Sequence, residues 1–123
     1  MTDLPLSGRR LLLAEDEYLI ADDMRRSLEY AGAQVIGPAA TVAEALTLIE
    51  SHPDLDGAAI EIRLGADLSY AVADALSARG IPYLFATAYE PSYVPGRFQS
   101  VPRCDKPLDA YQIARLLGLL PVR

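Results

Sequence analysis

The chain has 123 residues, 51% apolar and 23% charged, which suits one compact domain with one core. No apolar run nears the roughly 18 residues a membrane span needs. The start "MTDLPLSGRR" lacks a secretory pattern and Cys104 has no internal disulfide partner, so a cytoplasmic protein is expected. A net charge of −6 argues against nucleic acid or an anionic membrane as partner, because both reward basic patches.

Strand-like and helix-like stretches then alternate along the chain. Arg10 to Ala14, "RLLLA", is an apolar run of the kind buried on both faces of a parallel sheet. "EDEYLIADDMRRSLEYAG" repeats Ile20, Met24, Leu28 and Ala31 at helical spacing and stops at Gly32. "AQVIG" predicts a second strand closed by Gly37-Pro38. "TVAEALTLIES" opens on Thr41 with Glu44 three residues on, a capping box, and turns Val42, Ala45, Leu46 and Ile49 to one face. "GAAIEI" is the third strand. "DLSYAVADALSARG" predicts a third helix capped by Asp67 or Ser69 and stopped by Gly80. "PYLFAT" and "VPRC" are the fourth and fifth strands. "LDAYQIARLLGLL" is the last helix, with Asp109 and Gln112 at capping-box spacing.

One segment breaks the rhythm. A helix is due over "AYEPSYVPGRFQS", but Pro91, Pro95 and Gly96 oppose a long one, since proline inside a helix costs about 3 kcal/mol. An irregular loop with at most one helical turn near Pro91 is expected. Tyr89, Tyr93 and Phe98 on it read either as a loop tucked onto the sheet or as an exposed partner surface. No linker or repeat interrupts the chain, so residues 1–123 read as a single domain with no output domain.

Strands alternating with helices imply a parallel α/β sheet covered on both faces, with sites beyond the carboxyl ends of the strands. The polar residues at those ends are Glu15, Asp16 and Glu17, then Glu61 and Arg63, then Thr87, then Lys106. A carboxylate at Glu61, set between Ile60 and Ile62, needs a partner there.

With "LLLAEDE", Thr87 in "FATAY" and Lys106-Pro107 in "DKPL", the chain resembles the receiver domain of two-component response regulators over essentially its whole length. The resemblance implies a flavodoxin-like, doubly wound five-stranded sheet of order 2-1-3-4-5, with the fourth helix short or replaced by the proline-rich loop. In that family two acidic residues after the first strand hold Mg²⁺, and Glu15 and Asp16 match them. An aspartate at the end of the third strand accepts a phosphoryl group from a histidine kinase. Thr87 and Lys106 match the residues that contact its oxygens. Arg63 falls where a backbone carbonyl serves as a metal ligand. The Lys106-Pro107 bond is a cis candidate by the same resemblance.

Three positions depart from that pattern. Glu61 stands at the acceptor position, one methylene longer than aspartate, which moves the carboxylate by roughly 1–1.5 Å. A misplacement of about 1 Å can cost about 10²-fold in rate. Arg63, if turned toward Glu61 or Glu15, would neutralise the pocket without metal, so Mg²⁺ is expected to bind weakly or not at all. Arg103 replaces the usual aromatic at the switch position that pairs with Thr87, and a guanidinium does not bury there without a partner.

Glu61 thus reads as a static ion pair with Lys106 or Arg63, or as an unusual phosphoacceptor. Glu15 and Asp16 read equally as solvated acids at a helix N-terminus, and Thr87 as a hydroxyl bonded to local backbone. His52 is expected on the surface, and Cys104 as a small buried apolar residue. The expected function is a receiver-like signalling module, not phosphorylated at the usual site and not an enzyme. It would work through a protein partner such as a histidine kinase or another regulator, with a homodimer as a further candidate. The alternative is a phosphorylatable relay receiver that uses Glu61 or a neighbouring carboxylate with Mg²⁺.

Overall fold

The apolar runs become the strands of one parallel sheet. A computed structural model describes residues 4–87 and 94–120. In chain order the elements are β1 (Arg10–Ala14), α1 (Tyr18–Tyr30), β2 (Gln34–Ala39), α2 (Val42–Ser51), β3 (Gly57–Ile60), β4 (Arg63–Leu64), β5 (Asp67–Leu68), α3 (Tyr70–Ala78), β6 (Tyr83–Ala86), a 3₁₀ turn at Gly96–Phe98, β7 (Arg103–Cys104) and α4 (Ala110–Leu116). The main sheet runs β2-β1-β3-β6-β7, all neighbours parallel. This is the expected 2-1-3-4-5 order when only its five strands are counted. β4 and β5 form a separate antiparallel hairpin.

Both faces of the sheet are buried, which is why the strands read as continuous apolar runs. Leu12, Ala14, Ala58, Ile60 and Phe85 pack on one side with Ala45 and Ile49 of α2 and Val72, Ala73 and Leu76 of α3. Leu11, Leu13, Ala59, Leu84, Ala86 and Cys104 pack on the other with Met24 and Leu28 of α1 and Ile113 and Ala114 of α4. Each such leucine or isoleucine contributes about 1.5–3 kcal/mol relative to an exposed one. Thr41 caps α2 by accepting the Glu44 N–H at 3.1 Å, and the Glu44 carboxylate accepts the Ala40 N–H at 3.2 Å. Asp109 caps α4 by accepting the N–H groups of Tyr111 and Gln112.

Several boundaries differ from those read in the sequence: β7 holds only Arg103–Cys104 of "VPRC", and α4 ends at Leu116. β2 does not close at Gly37-Pro38 but continues to Ala39. Leu12 pairs with Ile36 and Ala14 with Ala39, so β2 carries one extra residue in a bulge. Gly37 takes φ 108°, and a Cβ there would stand 2.6 Å from the Leu13 carbonyl oxygen. β3 ends at Ile60, and the third helix begins only at Tyr70 because residues 63–68 fold as the hairpin. The two-residue connection Gly65-Ala66, with Gly65 at φ 62°, lets Leu64 pair with Asp67.

Residues 94–100 hold the 3₁₀ turn and no α-helix. Phe98 is buried, stacked on Tyr70 with ring centroids 4.8 Å apart and edge-on to Phe85 at 6.1 Å. Arg97 pairs with Asp74 of α3 at 2.9 Å. For Phe98 the tucked arrangement therefore holds. Tyr89, Tyr93 and Pro91 lie outside the described residues. His52 is half-buried rather than on the surface, its Nδ1 2.9 Å from the Leu48 carbonyl oxygen. Among the described residues no helix is long and apolar enough to cross a membrane.

Candidate functional site

The sheet ladder continues one residue past its strands and lines up the site. The Glu15 N–H donates to the Ala39 carbonyl at 2.9 Å, the Glu61 N–H to the Ala14 carbonyl at 2.9 Å, and the Thr87 N–H to the Cys104 carbonyl at 3.1 Å. Three expected site residues are thereby fixed by backbone at one edge of the sheet. Lys106 reaches in after β7, across the cis Lys106-Pro107 bond.

Lys106 is the centre of the arrangement. Its Nζ donates to Glu61 Oε1 at 2.7 Å and to Glu15 Oε1. The side chains of Glu15, Glu61 and Lys106 are only 1%, 12% and 11% exposed, so these are near-buried ion pairs. Removing one partner of such a pair costs about 3–5 kcal/mol. The second oxygens are also engaged. Glu15 Oε2 accepts the Glu17 N–H at 3.1 Å, and Glu61 Oε2 accepts the Ile62 N–H at 2.6 Å.

Two carboxylates share one ammonium, and the proton affinities follow from that imbalance. Burial pushes the Glu15 carboxyl above its usual range, against the lowering pull of Lys106 and of the Glu17 N–H; the Glu61 charge adds to the rise. Burial alone would lower Lys106, but its hydrogen bonds to Glu15 and Glu61 outweigh it and hold the ammonium above its ordinary value. Burial raises the Cys104 thiol, which keeps it protonated and unreactive.

The hairpin is hydrogen-bonded to the residues around this pair. Asp16 is exposed, and its Oδ2 accepts the Gly65 N–H at 2.8 Å. Buried Ser69 donates from its hydroxyl to the Glu61 carbonyl at 2.6 Å, and its N–H donates to the Ile62 carbonyl at 2.7 Å. Glu15, Asp16, Glu17, Ile20, Glu61, Arg63 and Lys106 line a cleft of about 500 Å³.

Arg63 does not pair with Glu61 or Glu15. Leu64 is buried, so the strand alternation turns Arg63 to the outer face, where it is exposed at the mouth of the cleft and makes no ion pair among the described residues. Thr87 is buried. Arg103 is exposed on β7, opposite Phe85 in register.

The donor set does not fit Mg²⁺ as it stands. Mg²⁺ asks for six near-octahedral oxygens at about 2.0–2.1 Å, whereas the glutamates are turned onto Lys106 and Asp16 onto Gly65. Among the described residues no group of three or more His, Cys, Asp or Glu is arranged to hold a metal ion. Sequence reasoning missed Ser69 and Gly65. The Gly-Ala pair between Leu64 and Asp67 was the available signal, being a two-residue hairpin connection.

No family model matches the chain. It is 34% identical over 107 residues to the phyllosphere-induced regulator PhyR of Methylorubrum extorquens, an alignment covering 85% of this chain and 37% of PhyR. The solution structure of SdrG from Sphingomonas melonis Fr1 matches at 35% identity and TM-score 0.76, covering 97% of this chain and 98% of SdrG. The crystal structure of the response regulator PhyR from Brucella abortus matches at 27% identity and TM-score 0.73, covering 96% of this chain and 50% of that one. The chain therefore spans half or less of the PhyR proteins and nearly all of SdrG. Sheet order, strand-end residues and relatives agree: the chain belongs to the response-regulator receiver family.

Proposed function

We propose that this chain is a receiver-like signalling module that acts by contact with a protein partner and is not phosphorylated at Glu61. The observation that carries the reading is the state of Glu61. One oxygen is held by Lys106 and the other by the Ile62 N–H, so the carboxylate is positioned as a fixed charge rather than a free nucleophile. A glutamate carries one negative charge where a phosphorylated residue carries about 1.5–2, so it acts as a partial stand-in for one. The regulator names of the relatives support a signalling role over an enzymatic one. Tyr18 and Leu19, about 80% and 79% exposed on the first turn of α1 beside the cleft, offer apolar area to a partner such as a histidine kinase or another regulator.

A small-molecule phosphodonor with Mg²⁺, followed by intact mass, tests the reading. The expected result is no added phosphoryl group on the wild type and one on Glu61→Asp. A stoichiometric gain mapped to wild-type Glu61 would instead support the relay reading.

A further inference from the structure

We propose that Lys106 is the resident cation of this pocket, and that the wild-type chain recruits no divalent cation to it. The inference rests on the reading above only in placing the site at Glu61. Glu15, Asp16 and Glu61 line the cleft and carry six carboxylate oxygens between them. Glu15 Oε1 and Glu61 Oε1 accept from Lys106, Glu15 Oε2 from the Glu17 N–H, Glu61 Oε2 from the Ile62 N–H and Asp16 Oδ2 from the Gly65 N–H. Five of the six are thus committed to donors of this same chain. A divalent ion would have to displace several of them and then stand beside the ammonium it displaced, where like charges repel strongly at low dielectric.

Arg63 adds a second positive charge at the mouth. Asp16 ties the hairpin to the end of β1 through its bond to the Gly65 N–H. The cleft carries its own counter-charge, in Lys106 bonded to both glutamates and in Arg63 on its lining.

The probe is Mn²⁺, followed by paramagnetic broadening of the amide signals of Glu15, Glu61 and Gly65 in the full chain. The wild type is expected to show no site-specific broadening at about millimolar Mn²⁺, the concentration range of weak carboxylate sites. Lys106→Met is expected to bind at least about tenfold tighter once the like charge is gone. Lys106→Gln provides the same comparison if the methionine variant does not fold. Saturable broadening in the wild type at those signals overturns the proposal. So does folded lysine-variant protein that binds no better than wild type. Phosphoryl transfer is read separately by mass. A wild type that binds Mn²⁺ yet gains no phosphoryl group sinks this inference and leaves the functional reading standing.

Discussion

The Ser69 hydroxyl and the Glu61 carbonyl meet at 2.6 Å, so the residue that opens α3 pins the residue that follows β3. Ser69 makes no side-chain cap to its own helix. Its hydroxyl is spent across the hairpin instead. Ser69→Ala leaves a carbonyl acceptor without that donor and is expected to cost about 1–2 kcal/mol. Urea unfolding should show the midpoint falling with the slope unchanged.

The two glutamates are not equivalent partners of Lys106. Lys106→Ala strands both carboxylates and is expected to cost about 3–5 kcal/mol. Glu61→Gln leaves Lys106 paired with Glu15, and the loss should be about 1–2 kcal/mol. An equal loss in the two variants, measured by the same unfolding experiment, would show that the bridge runs through only one glutamate.

Acidity should act through Glu15 in an unusual direction. Its carboxyl binds a proton more tightly in the folded chain than the ordinary value of 4.5. The folded state therefore holds more protons than the unfolded one in the window above 4.5. Its contribution to stability is fully present below the ordinary value and is lost as pH rises through the folded one. Glu15→Gln cannot titrate. The stability of wild type relative to Glu15→Gln should thus increase as pH falls from neutral toward 4.5. Lys106 works at the other end: its raised value holds its contribution at neutral pH and releases it only in strong alkali.

Asp16 is a tether on an exposed turn, so its removal should be local. Asp16→Ala is expected to change global stability by no more than about 0.5 kcal/mol. Hydrogen exchange at the Gly65 amide should nonetheless quicken markedly. Asp16→Asn retains an accepting oxygen and should keep most of that protection.

Phe98 is expected to matter as core. Phe98→Ala removes a ring packed against Tyr70 and Phe85 and should cost about 3–5 kcal/mol. A loss below about 1 kcal/mol, the scale of an exposed position, would mean that the 3₁₀ turn does not hold its place in solution.

What could be read in the sequence was what repeats or ends sharply. Apolar runs marked the five strands, and the charged residues at their ends marked the cleft, because burial on both faces leaves no other reason for a carboxylate at Glu61. The need to compensate that charge pointed to Lys106 or Arg63, and the structure gives Lys106 as the partner. Direction within the hairpin could not be read: Arg63 turned outward only because Leu64 is drawn into the core one residue later. Nor could Ser69, whose partner is a backbone carbonyl with no signature of its own. The length of β2 was hidden by Pro38, which ordinarily signals a stop and here rides in a bulge on the outermost strand.

That bulge also bears on how the molecule meets its neighbours. A sheet is vulnerable at its two rims, where unpaired backbone groups can template a further chain. One rim here is β2, in which Pro38 has no N–H to offer and the extra residue breaks the regular repeat. The other is β7, only two residues long. Both rims are blunted against strand addition. Association with a second copy or another protein is therefore left to side chains on helices and loops, which can be tuned residue by residue, rather than to backbone pairing, which cannot.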